Sequence, residues 1–125
     1  MTQVYGRAML DHIYIGVSDL EGSAAFYSGA LEPLGMAEVF RRSGEVAFGR
    51  GGRPVFFIRE GGGREPVHVA FTAPDRATVD CFHAAAIAAG GSDNGPAGPR
   101  DYHPRYYGAF ALDPDGHNVE VVCHV

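Results

Sequence analysis

Lysine is absent from the 125-residue chain, so all ten basic residues are arginine. Schiff-base chemistry through a lysine is thereby excluded. A basic excess is lacking too. The formal net charge is −5, which argues against the concentrated cationic face that nucleic-acid binding needs. Cysteine is scarce. Cys81 and Cys123 form no metal or redox spacing and are too few for a disulfide framework. They read as reduced, partly buried thiols. No apolar stretch approaches a membrane span, and the opening MTQVYGRAML lacks the charged region and apolar run of a signal peptide. These absences predict a soluble, cytoplasmic protein with no membrane or nucleic-acid partner. The length suits one domain, 1–125, with a single core.

What is present is an internal repeat. Setting His12 on His68 gives a shift of 68 − 12 = 56 residues, and the same shift puts Asp19 on Asp75, Phe26 on Phe82, Ala30 on Ala86 and Gly35 on Gly91. Downstream, Ala47-Phe48 matches Ala109-Phe110, and the strand at Val55 matches the strand at Val119. The copies run approximately 8–60 and 65–125. Each reads as βαβββ, with a weak second strand in the second copy.

Periodicity and caps set the elements. Residues 9–17 alternate, with Ile13, Ile15 and Val17 on one face. Ser18 and Glu21 form a capping-box pattern. The helix that follows carries Leu20, Ala24, Tyr27, Leu31 and Leu34 as its apolar stripe and ends at Pro33 and Gly35. Strands are predicted near 36–42, 45–49 and 54–60, and Gly61–Gly63 reads as a flexible joint. A strand at 66–72 precedes a helix from about Pro74 to Gly90-Gly91. A Gly/Pro-rich loop spans 95–104, and strands near 105–112 and 117–124 flank the turn Asp113-Pro114-Asp115-Gly116. Gly49–Gly52 and Gly61–Gly63 lack the strand–loop–helix context of a phosphate-binding loop and read as turns.

Alternation isolates polar residues on otherwise apolar strands. His12 opposes Ile13 and Ile15, His68 opposes Val69 and Phe71, and Glu120 opposes Val119 and Val121. Taken singly, each would be a solvated side chain. Two imidazoles at equivalent repeat positions and a carboxylate on the same inferred face make up a facial triad, which leaves metal positions open for water or substrate. His12, His68 and Glu120 are therefore the candidate metal ligands.

The segments LDHIYIGVSDL, PVHVAFTAPD and DPDGHNVEVV together resemble the vicinal-oxygen-chelate superfamily, the glyoxalase/bleomycin-resistance/extradiol-dioxygenase group, over nearly the whole chain. The resemblance implies an α+β fold in which two tandem βαβββ modules form an eight-stranded, cup-shaped mixed sheet with helices outside. Carried over by position, the first strand gives His12, the fifth His68 and the eighth Glu120. It also implies a divalent metal ion, with Fe, Mn, Zn, Ni or Co all open, and a homodimer. The fourth-strand position departs from the pattern. Aligning PVFFI with NVEVV puts Phe56 opposite Glu120, where the lactoylglutathione lyases carry a glutamate ligand and base. The sequence thus looks more like the three-ligand members, and negligible lactoylglutathione lyase activity is expected.

Catalytic candidates are Glu120, Tyr107 and His103. If Phe110 and Leu112 pack against the helices, Tyr107 faces into the cup and can donate to a substrate oxygen. His103 can act as acid or base from the loop. Tyr14 shares the His12 face, while Arg105 is an isolated candidate anchor for an anion. His83 and His117 read as structural, His124 as a spare ligand at the chain's end, and Asp113 and Asp115 as turn formers. The leading expectation is a metal-dependent enzyme acting on a small oxygenated substrate through its vicinal oxygens, by isomerase, lyase, dioxygenase or thiol-transfer chemistry. The alternative is a non-catalytic protein that sequesters an antibiotic or metabolite.

Overall fold

The computed structural model describes residues 9–61 and 65–125. Gly62 and Gly63 of the expected joint lie outside the described residues. The first half runs β1 (Ile13–Val17), α1 (Leu20–Ala30), a single 3-10 turn (Glu32–Leu34), β2 (Ala37–Arg42), β3 (Glu45–Arg50) and β4 (Arg53–Glu60). The second runs β5 (His68–Thr72), α2 (Arg76–Ala88), β6 (Ser92–Asp93), β7 (Gly98–Pro99), β8 (Tyr107–Leu112) and β9 (Asn118–Cys123). Each half builds its own mixed sheet. The orders are β1-β4-β3-β2 and β5-β9-β8-β6, with β7 also on β8. The pairs β1/β4 and β5/β9 are parallel and the rest antiparallel. The fold is α+β, and its strands form two mixed sheets, one of four strands and one of five. The weak second strand of the second half is split in two around Gly95 and Pro96, where a proline offers no N–H to a ladder.

Local chemistry explains the helices. α1 is capped by Asp19, whose carboxylate accepts from the Gly22 amide. The cap is therefore Asp19 and not Ser18, whose amide donates to the Asp115 carboxylate at 3.1 Å. The chain leaves the 3-10 turn through Gly35 at φ 74, a left-handed position. Asp75 caps α2 and accepts from both the amide and the hydroxyl of Thr78. Between β3 and β4 the register shifts at Gly49, where a Cβ would fall 1.7 Å from the Arg53 carbonyl oxygen. Only glycine fits that bulge.

One hydrophobic core serves both halves. Ile15, Val17, Phe56 and Ile58 from the first sheet join Ala109, Ala111, Val119 and Val121 from the second, together with Phe26 and Tyr27 of α1 and Phe82 of α2. α1 and α2 pack against each other, and each also packs against its own sheet. Phe56 of β4 and Phe71 of β5 meet edge to face across this core, 5.3 Å between centroids. Full burial of such side chains contributes about 1.5–3 kcal/mol apiece. The helix-bearing faces therefore share the interior, and the other face of each sheet is turned away from it.

Pairing in the ladders fixes the repeat more finely than sequence alignment. Ile13 pairs with Phe56 and Tyr14 with Phe57 in the first sheet, while Val69 pairs with Val119 and Ala70 with Glu120 in the second. The counterpart of Glu120 is thus Phe57, and Phe56 is the counterpart of Val119. The expectation that Phe56 faces the metal position is corrected by one residue. Such a slip moves a side chain to the opposite face of a strand. The fourth-strand position still carries a phenylalanine where a carboxylate would be needed.

Candidate functional site

On the second sheet, the face away from the core carries His68, Ala70 and Thr72 from β5, Asn118, Glu120 and Val122 from β9, and Gly108 and Phe110 from β8. His68 Nε2 lies 2.7 Å from Glu120 Oε1. The other carboxylate oxygen accepts from the Tyr106 hydroxyl. Glu120 is only 2% exposed, although its strand face is not the helix-covered one. The side chains of Tyr106, His68 and Phe110 shield it. Gly108 makes room for this arrangement, because a Cβ there would fall 3.2 Å from Tyr106 Cε1 and 3.4 Å from Glu120 Oε2.

Tyr106 is the residue that sequence reasoning missed. Its phenol is pushed up to about 12, first by burial and then by its bond to the Glu120 carboxylate. It therefore stays protonated through the neutral range and keeps its role as donor. Its ring also meets those of Tyr102, His103 and His124 at 4.9, 5.0 and 5.4 Å, and His103 stacks on His124 at 4.7 Å. His103 stands beside Tyr106, with Nδ1 3.1 Å from its neighbour's carbonyl at Pro104.

Tyr107 lies elsewhere. It belongs to the helix-bearing face, and its hydroxyl donates to Asp80 of α2 at 2.6 Å. That bond is the main reason its phenol is raised above the ordinary value. The expected orientation of β8 is reversed, because Ala109 and Ala111 lie in the core and Phe110 lies beside Glu120. Small residues let α2 approach the strand closely. Phe110 is instead covered by His68 and by the Arg100 guanidinium, 5.4 Å over its ring.

His12 is on the outward face of the first sheet. Its ring touches Tyr14 and Phe57, and Nδ1 is 2.8 Å from the Asp11 carboxylate, which also binds Arg53. Tyr14 and Phe57 stack at 4.4 Å, and Phe40 meets Phe57 edge to face. Arg59 lies over Tyr14 and Arg42 over Phe40, both tied to Glu45. This face is an aromatic platform with charged ends. Among the described residues, no group of three His, Cys, Asp or Glu side chains comes together to hold an ion. One chain brings His68 and Glu120 together and leaves His12 on the other sheet.

The remaining histidines are engaged as structure. The Val67 amide donates to His117 Nδ1, so Nε2 carries the proton and donates to the Gly16 carbonyl at 2.8 Å. His83 bonds Asp93 at 2.8 Å. Asp113 accepts from the Asp115 and His117 amides and from the buried Tyr27 hydroxyl at 2.5 Å.

The model of the Glyoxalase/Bleomycin resistance protein/Dioxygenase superfamily matches residues 9–121. A glyoxalase/bleomycin resistance protein from Albidiferax ferrireducens T118 is similar at 29% identity and TM-score 0.80, over 94% of this chain and 100% of that one. A glyoxalase-related enzyme from Fulvimarina pelagi shares the fold at 24% identity and TM-score 0.72, over 92% and 87% of the two chains. A lactoylglutathione lyase from Agrobacterium tumefaciens does so at 22% identity and TM-score 0.69, over 93% and 92%. No curated protein sequence matches the chain.

Proposed function

The chain belongs to the glyoxalase/bleomycin resistance protein/dioxygenase superfamily, and on that footing we propose that it is a divalent-metal-dependent enzyme acting on a small oxygenated substrate. The observation that carries this reading is the pair His68–Glu120, an imidazole and a shielded carboxylate 2.7 Å apart on a strand face away from the core. That donor set fits a first-row divalent ion, but one copy supplies two ligands and a facial triad needs three. We therefore propose a homodimer in which His68 and Glu120 of one subunit meet His12 of the partner subunit. When bound, the ion would polarise one or two neighbouring substrate oxygens.

The chain's own residues have distinct tasks in this proposal. Glu120 and His68 hold the site, and Tyr106, protonated at neutral pH, orients Glu120 by donating its hydroxyl hydrogen to it. His103 stands next to Tyr106, placed to move a proton from the loop. Tyr107, engaged with Asp80 under the second helix, has no part in it. Phe57 withholds a fourth ligand and a base, so lactoylglutathione lyase activity should be negligible. Cys81 and Cys123 are free thiols, in keeping with a cytoplasmic setting, and no helix among the described residues is long and apolar enough to cross a membrane.

The second reading, a protein that sequesters a drug or metabolite, rests on the aromatic platform of Tyr14, Phe40 and Phe57. Elemental analysis of protein purified without added metal, alongside Glu120→Ala, separates the two. The enzyme reading expects a transition metal in the native protein and none in the variant. A metal-free native protein that binds its ligands as well as the variant does would hand the case to sequestration.

A further inference from the structure

Four of the eight arginines among the described residues are matched to carboxylates. Arg41 pairs with Glu21 and Glu38, Arg42 and Arg59 pair with Glu45, and Arg53 pairs with Asp11. Arg100 and Arg105 make no such pair among the described residues, and with Arg76 they line one cavity of about 400 Å³ together with His103 and Tyr106. Asp101 is the one carboxylate residue in its lining. Arg100 is fixed by the carbonyls of Pro96, Gly98 and Pro99 at 2.7–3.3 Å. Neutral carbonyls orient a guanidinium without cancelling its charge. Arg76 Nε donates to the main-chain oxygen of Val125 at 3.2 Å, and its guanidinium lies over the Tyr107 ring. Asp80, the nearest acid on α2, is engaged by the Tyr107 hydroxyl.

Arg105 adds an independent sign. Its φ is 66°, the only positive value at a non-glycine position among the described residues. An arginine held where glycine would sit without strain is a local conflict of the kind that gathers at binding sites. In a chain of net charge −5, these guanidiniums concentrate positive potential in one concave place.

We propose that this cavity binds an anionic group, a carboxylate or a phosphate, and that it anchors the charged end of the substrate. The planar fork of arginine matches both groups. Tyr106 belongs to the cavity wall and also donates to Glu120, so an anion held here places the adjoining part of its molecule beside the His68–Glu120 pair. That orientation rests on the function proposed above, but anion binding itself does not.

The test uses the metal-stripped protein, so a failed metal reading leaves it intact. Inorganic phosphate and, separately, acetate are titrated calorimetrically at low ionic strength. Saturable binding is expected, weakening as sodium chloride is added. Arg105→Gly should weaken it about tenfold or more, as loss of a charge-assisted contact does, with the thermal midpoint unchanged or raised because glycine suits that backbone. Arg105→Lys should fall between the two, and Arg41→Gln should bind as the native protein does. Preference for phosphate or acetate identifies which anion the cavity takes. Absence of saturable binding to the native protein, or equal binding by Arg105→Gly, would overturn the proposal. Metal analysis of the Arg105→Gly variant gives the second readout, and its metal content should stay native.

Discussion

Glu120 is the residue on which the account turns, and its surroundings show what a sequence conveys and what it hides. A carboxylate in the run Val119-Glu120-Val121 stands out by alternation alone, and so does His68 between Val67 and Val69. Both were legible. Tyr106 was not, because Phe110 and Leu112, the phenyl and large aliphatic side chains of β8, predict the opposite orientation of that strand. The structure gives the core face to Ala109 and Ala111, which admit α2, and leaves Phe110 outside. Size is a poor guide to face where a helix must come close. Elsewhere a single side chain makes a sharper prediction. Tyr27 is fully buried, and its phenol, raised by burial and by the adjacent Asp113, donates to that carboxylate at 2.5 Å. Tyr27→Phe should therefore cost about 1.5–3 kcal/mol, the usual worth of a hydrogen bond to a charged group. Urea unfolding of the two proteins measures it. A loss below a few tenths of a kcal/mol would show that the bond adds nothing net.

At the scale of elements, order and type were legible almost throughout, since caps, glycines and period agree. Expectation and structure differ in phase. The match of β4 to β9 slipped by one residue because PVFFI offers two adjacent phenylalanines and no polar marker to choose between them. Only the ladder, in which Tyr14 pairs with Phe57 and Ala70 with Glu120, decides. α2 offers a test of capping. Asp75 has its carboxyl held below the ordinary value by the Thr78 hydroxyl and then by the Thr78 amide. A depressed folded-state value means stability that is present above the ordinary carboxyl range and lost as pH falls through the folded value. The thermal midpoints of the native protein and Asp75→Ala should differ near neutrality and converge in acid. A difference that persists unchanged in acid would mean the carboxylate's charge is not what caps the helix. The strap between the halves gives another expectation. His117→Ala leaves the Val67 amide and the Gly16 carbonyl without their partner, a loss of about 1–3 kcal/mol. It should leave metal content untouched. A variant as stable as the native protein would remove His117 from the forces joining the two halves.

For the whole molecule, the sequence conveyed the superfamily and the α+β class but not how the halves meet. Nothing in period or composition says whether two amphipathic sheets turn their helices inward or outward. Here the helix-bearing faces share one core, so a single copy parts His12 from His68 and Glu120. The proposed pairing of two copies restores the triad, and it can be tested by complementation. Each intersubunit site would take His12 from one copy and His68 with Glu120 from the other. His12→Ala alone and Glu120→Ala alone should each lose tightly held metal. When the two variants are unfolded and refolded together, half of the dimers should be mixed, each with one intact site, and metal should return to roughly a quarter of the native content. Failure of the mixture to regain any metal, while the native protein holds it, would contradict a site shared between two copies.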